Sequence, residues 1–246
     1  MIARTCADRR SATRAATRAS TRASTLAAAL AAALLIGAGA CAGASGGMET
    51  AILAPRIVYE PGVVPDSFVV RFTTTQGEVD LMVRRYWAPL GVARFYEAVS
   101  MGVYDGARFF RALRGFVVQF GIAADPAVTA EWSERRIDDD PVTESNSRGT
   151  VVFASGGPAT RTVQLFINLR NNARLDALGF APIGEVIRGM DAVDAIHTGY
   201  GDGGPPGSSP DQGRISREGE AYLAAEFPRL DQIVTARVIR VWPSSR

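Results

Sequence analysis

Between Phe109 and Gln119 the chain reads Phe-Phe-Arg-Ala-Leu-Arg-Gly-Phe-Val-Val-Gln. Arg111 and Gln119 stand among aromatic and β-branched residues, and Gly115 between them lets the chain turn. As two short strands, the stretch puts Phe109, Arg111 and Leu113 on one face and Phe110 and Ala112 on the other. Beyond the glycine, Phe116 and Val118 share one face, and Val117 and Gln119 share the other. A long cation beside such side chains makes a peptide-binding surface that can donate hydrogen bonds without moving a proton. The plainer reading is a strand with one exposed arginine, since all 27 basic residues are Arg and none is Lys. Other chemistries are scarce. His197 is the sole histidine, which excludes a His dyad and multi-His metal sites, and it reads as a helix-end residue. Cys6 and Cys41 are the two cysteines, so nothing beyond residue 41 can form a disulfide or a Cys metal site.

Phe109-Phe110-Arg111-x-x-x-Gly115-Phe116-x-x-Gln119 resembles the signature of cyclophilin-type peptidyl-prolyl isomerases, which usually has His at the position of Phe110. Two further blocks follow in order: Gly149-Thr150-Val151-Val152-Phe153-Ala154-Ser155 with Gln164-Leu165-Phe166-Ile167-Asn168, then Leu175-Asp176 with Gly179 to Val186. The resemblance runs from about Phe68 to Trp242. It implies Arg111 as the donor to the prolyl nitrogen, with Gln119 orienting it or binding the substrate backbone. It also implies an apolar cup of Phe116, Val117, Phe166 and Leu175. Ala154 and Ser155 would border the peptide, with Ser155 where the family commonly has Asn. Gln164 matches the family's Gln. Phe180 replaces a common His and is otherwise plain barrel core. Val117 replaces a pocket Met, and Arg174 replaces the rim Trp that supports cyclosporin binding. The resemblance implies no cofactor and no metal.

Positioning such a site calls for strands. Phe68–Phe72 and Glu78–Val83 alternate with period two around a turn at Thr75-Gln76-Gly77. Further strands are expected at Thr150–Ala154, Val163–Asn168, Ile183–Ile187 and Ile233–Val241. Helical spacing marks Pro89–Val99 and Met190–His197. Residues 124–148 look polar and irregular, and Asp138-Asp139-Asp140 reads as a solvated loop rather than a calcium site, because EF-hand spacing is missing. Gly199–Gly213 is a Gly-, Pro- and Ser-rich loop, and Arg217–Phe227 an added helix. Short strands with few helices predict an all-β protein. The resemblance selects a closed eight-stranded antiparallel barrel with two capping helices and an extra helix before the last strand, a monomer binding proline-containing polypeptides.

The first 47 residues carry six Arg against one acid, leaving 21 Arg and 24 acids beyond them. The basic character therefore belongs to the leader, and nucleic-acid binding is not indicated. A basic start, a short apolar run at 26–37 and small residues to Ala40 describe an export signal over residues 1–40. Cys41 after Gly39-Ala40 resembles a bacterial lipobox and would be lipidated; ordinary cleavage after Ala40 is the alternative. Residues 41–66 read as a tether, and 67–246 as the isomerase domain of an exported, periplasmic, lipid-anchored protein. A proline-peptide-binding chaperone or scaffold without catalysis, and a structural envelope lipoprotein, are the competing functions.

Overall fold

The computed structural model describes residues 63–242 apart from Gly204 and Pro206. The export segment, Cys41 and the tether up to residue 62 lie outside the described residues. Strand β1 (Ser67–Thr74) pairs with β2 (Gly77–Arg84) in unbroken register from Ser67↔Arg84 to Thr74↔Gly77. The turn between them is held by the Thr74 hydroxyl, which donates to the Gly77 carbonyl (2.7 Å) and accepts from the Gln76 N–H (3.1 Å). Alternation sends Phe68, Val70 and Phe72 inward with Val79, Leu81 and Val83. Their neighbours point outward, where Asp80 takes Arg71 Nε at 2.8 Å and Arg188 Nε at 2.7 Å.

The remaining strands are β3 (Arg111–Ala112), β4 (Val117–Phe120), β5 (Thr150–Phe153), β6 (Leu165–Asn168), β7 (Pro182–Arg188) and β8 (Ile233–Trp242). They form one curled, all-antiparallel sheet in the order β3-β4-β6-β5-β7-β2-β1-β8. The chain leading into β3 bonds to the chain leading into β8. Gly106 N–H donates to the Ile233 carbonyl (2.8 Å), Ile233 N–H to Ala107 (2.9 Å) and Phe109 N–H to Asp231 (2.9 Å).

Four α-helices accompany the sheet: α1 (Pro89–Ser100), α2 (Pro126–Ser133), α3 (Met190–Ala195) and α4 (Gln212–Glu226), with a 3₁₀ helix at Ala173–Leu178. Two caps and one added helix were expected, so α2 is an addition. It starts on an Asp-Pro pair: the Asp125 carboxylate accepts from Ala127 N–H and Pro126 occupies the first turn. The reading of Asp138–Asp140 as solvated fails at Asp140. That side chain is buried, accepts from the N–H groups of Leu90 (2.9 Å) and Gly91 (2.8 Å), and pairs with buried Arg161 at 3.0 Å. It caps α1, whose own Ala88 has no capping side chain. Helix α4 begins at Gln212, ahead of Arg217, and is broken at Gly219, where φ is +59°. A Cβ there would lie 2.4 Å from the Ala124 carbonyl, and the neighbouring Glu220 N–H bonds that same carbonyl at 3.0 Å.

Among the described residues three apolar clusters result, one of them around Val117, Val152, Phe166 and Leu175. Inside the sheet, Phe72 and Phe120 meet edge to face at 5.5 Å among Phe68, Phe95, Phe109 and Tyr104. The Tyr104 hydroxyl is satisfied by the Val163 carbonyl at 3.0 Å. Outside it, Phe110 and Ile122 pack with Ile215, Tyr222, Leu223, Phe227 and Leu230, which belong to α4 and the turn after it. Phe109 therefore faces the sheet interior and not the side of Arg111. Only Arg111–Ala112 is strand, so strict alternation does not extend back through residue 109.

Candidate active site

Cross-strand register builds the site. Arg111 stands opposite Gln119, Gln119 opposite Phe166, and Phe166 opposite Val152, one row across β3, β4, β6 and β5. Residues directly opposite share a face. Two positions back along β4, Val117 joins the same face, as alternation predicts for Val117 and Gln119. Phe116 precedes β4 and packs with Val117, Val152, Phe166 and Leu175, not with Val118 in the sheet interior. Gly115, at φ +66°, makes the turn that returns β4 beside β3.

The resulting groove has a volume of about 250 Å³ and is open to solvent on one side. Arg111 and Gln119 border it. Phe116, Val117, Phe166, Leu175 and Phe180 form the apolar wall, with Ala154 and Ser155 along the edge. Phe180 meets Phe166 edge to face at 5.7 Å, so it belongs to this wall and not to the core inside the sheet. The Ser155 hydroxyl is engaged within its own loop, by Gly157 N–H at 3.1 Å and Thr160 at 3.2 Å. Gln164 accepts from the Gln119 side-chain amide at 3.0 Å. The Gln119 side chain is thereby oriented from both ends, because its oxygen accepts from Arg111 Nη1 at 3.2 Å.

A buried amide network supports the wall. Asn172 donates to the Phe116 carbonyl (3.0 Å) and to Asn168 (2.7 Å). Asn168 donates to Asn146 (3.1 Å) and Thr150 (2.9 Å). Asn146 donates to the Phe180 carbonyl and to Asp176, both at 2.8 Å. The backbone at Phe116 and at Phe180 is thus tied to one set of side chains, in which nearly every polar group has a partner. Burial pushes the Asp176 carboxyl up, but hydrogen bonds from the Ser145 hydroxyl and the Asn146 amides outweigh that and hold it below the usual carboxylate range. Arg174, on the 3₁₀ helix, lays its guanidinium over the Phe116 ring at 4.9 Å.

One partner of Arg111 is absent from any motif. Asp202 approaches its Nε at 2.7 Å from the loop between α3 and α4. A Gly-Asp-Gly triplet in a glycine-rich loop carries no signal of which distant cation it will meet. His197 lies just past α3, with its N–H on Asp231 (2.7 Å) and its ring against Tyr200. Among the described residues no cluster of His, Cys, Asp or Glu is disposed to hold a metal ion, and no helix is long and apolar enough to cross a membrane.

The family model of cyclophilin type peptidyl-prolyl cis-trans isomerases matches residues 69–216. The chain is 31% identical over 137 residues to peptidyl-prolyl cis-trans isomerase A of Dickeya dadantii, covering 52% of this chain and 70% of that one. To peptidyl-prolyl cis-trans isomerase B of Escherichia coli it is 29% identical over 137 residues, covering 52% and 83%. A crystal structure of a Cryptosporidium parvum cyclophilin type isomerase superposes with a TM-score of 0.51 at 20% identity, over 70% of this chain and 97% of that one, a likeness of fold. On its sequence match across the strands that carry the groove, this chain belongs to the cyclophilin-type peptidyl-prolyl cis–trans isomerase family.

Proposed function

We propose that the groove isomerises Xaa-Pro bonds and that Arg111 carries the catalysis. The supporting observation is one guanidinium, held by Gln119, lining the same groove as the apolar side chains of Phe116, Val117, Phe166 and Leu175. The barrier to rotation, about 18–20 kcal/mol, arises because the amide nitrogen shares its lone pair with the carbonyl. As the bond twists, that lone pair localises on nitrogen and becomes an acceptor. A preorganised N–H donor meeting it there stabilises the twisted state more than either planar state. No bond breaks, so neither nucleophile nor base is called for. The cup of Phe116, Val117, Phe166 and Leu175 would hold the ring while the residue before it swings. Gln119, itself held by Gln164, would keep the guanidinium aimed.

Arg111→Ala should lower kcat/KM about 100- to 1,000-fold, the worth of one preorganised donor at ~2.7–4 kcal/mol. Arg111→Lys should recover only part of this, because an ammonium lacks the planar fork. Peptide affinity and the unfolding midpoint should change little. A protease-coupled isomerisation assay beside a peptide titration measures both. A folded Arg111→Ala protein with full activity rejects the role of Arg111; peptide binding without turnover in the wild type points to a binding module.

The basic leader and Ala38-Gly39-Ala40-Cys41 support an exported protein of bacterial envelope type, lipidated at Cys41 and serving envelope or secreted chains during folding. Cys41→Ser should release it from membranes; an unmodified mature N-terminus by mass spectrometry would reject the anchor. The bonds from 106–109 to 231–233 support reading the curled sheet as a closed barrel.

A further inference from the structure

The insertion between α3 and β8 meets Arg111 through the Asp202 side chain. Asp202 sits 2.7 Å from Arg111 Nε, while Gln119 takes Nη1. A guanidinium has five N–H donors. The carboxylate pairs with the guanidinium as a charge beside Nε, and Gln119 accepts from Nη1, which leaves three N–H donors, on Nη1 and Nη2, for a peptide. The carboxylate therefore need not be displaced when a substrate enters.

The loop is shaped to deliver this contact. Gly201 and Gly203, on either side of Asp202, have φ of +64° and +72°, and nothing lies within 4 Å of a Cβ at either. Glycine is required there by backbone conformation and not by space. The preceding residue anchors the turn: the Tyr200 ring meets His197 and Phe227 edge to face, each at 5.0 Å. Phe227 belongs to the same small core that buries Phe110, the residue next to Arg111. The insertion thus grips the catalytic strand twice, by the Phe110 ring below and by the Arg111 guanidinium above.

We propose that Asp202 is a positioning residue for the isomerisation, setting the plane of the Arg111 guanidinium so that its free Nη donors point along the groove. The proposal rests on the isomerase reading above. A donor allowed to swing by an ångström loses much of its effect on a transition state while still binding peptide.

The test is a double-mutant cycle on the full chain, with a chromogenic peptide containing one Ala-Pro bond as substrate. Asp202→Ala should lower kcat/KM about tenfold, chiefly in kcat, with KM nearly unchanged. Asp202→Asn keeps an oxygen beside Nε and should stay within about threefold of wild type, as a role in orientation rather than in charge predicts. In an Arg111→Ala background, Asp202→Ala should have no further effect. Asp202 is half exposed on a loop, so the unfolding midpoint should not move. The proposal is overturned if Asp202→Ala is as active as wild type or more so, or loses the same factor without Arg111, or if Asp202→Asn fails as badly as alanine. If Arg111→Ala itself retains full activity, the isomerase reading falls first and the proposal with it.

Discussion

The sheet interior and the small core beneath α4 are both rich in aromatic rings, yet they are built differently. Phe72, Phe95, Phe109 and Phe120 are enclosed by hydrogen-bonded strands whose ladders continue on either side. Phe110, Tyr222 and Phe227 are enclosed by a single broken helix laid against the sheet's outside. Polar ties secure that helix: Arg108 pairs with Glu220 and donates to the Leu230 carbonyl at 2.6 Å, and Glu220 N–H bonds Ala124. Cooperative ladders resist local opening, whereas a helix docked by side chains can detach by itself. The first core determines whether the chain folds. The second determines how firmly Arg111 is held in the groove.

Truncating one ring in each core breaks this comparison most directly. Phe120→Ala should cost about 3–5 kcal/mol, since the cavity lies among close-packed rings. Chemical denaturation should show one cooperative transition at a much lower midpoint. Phe227→Ala removes a ring of the same size, yet the global midpoint should fall by less, roughly 1–3 kcal/mol, because α4 can open locally. Amide exchange should quicken across 212–226, and kcat/KM should drop while the sheet stays protected. Equal midpoint shifts in the two variants would erase the distinction.

A third variant tests the groove wall. Asn146→Ala leaves Asp176, the Phe180 carbonyl and Asn168 each short of a partner, at a cost of about 1–3 kcal/mol. Peptide KM should rise more than kcat falls, since the wall is displaced and Arg111 is not. A KM equal to wild type would separate the network from the wall.

Acid should act on the sheet's outer surface and on the network together. Hydrogen bonds from Arg71 lower the Asp80 carboxyl to about 2, against burial, with Arg188 helping. Asp176 is also lowered. A carboxylate depressed in the folded state contributes stability that is present above its ordinary range and lost as pH falls through the folded value. Thermal midpoints should therefore decline between about pH 4 and pH 2, and Asp80→Asn should flatten that decline. An unchanged slope in that variant would assign the loss to Asp176 and other groups.

The smallest effect concerns the rim. Arg174 covers Phe116 with a guanidinium in place of an indole that would add apolar contact and an N–H donor. Cyclosporin should bind this protein weakly, and Arg174→Trp should tighten it by about one order of magnitude, measured by calorimetry. Tight binding to the unmodified chain would show that the rim residue does not control it.

Much was legible in the residues alone. Period-two alternation located β1 and β2 and their inward faces, because a pleated strand leaves side chains no other choice. The same parity brought Val117 and Gln119 to one side. The family resemblance implied Phe166, Leu175 and Phe180 as neighbours of Arg111; the register of β3, β4 and β6 brings Phe166 there, and the 3₁₀ helix and the turn after it bring Leu175 and Phe180 to the same groove. Helix α2 was also written locally, in Asp125-Pro126, and went unread. Tertiary structure alone decided the rest. Phe109 and Arg111 part company because the strand is too short for parity to hold. Asp140 leaves solvent to cap a helix 50 residues earlier in the chain. Asp202 meets Arg111 across a separation no local pattern spans, beside a Tyr200 ring packed on His197 and Phe227. Local pattern specifies which face a side chain takes; which charge it finds there depends on how distant segments pack, and a carboxylate in sequence does not name its partner.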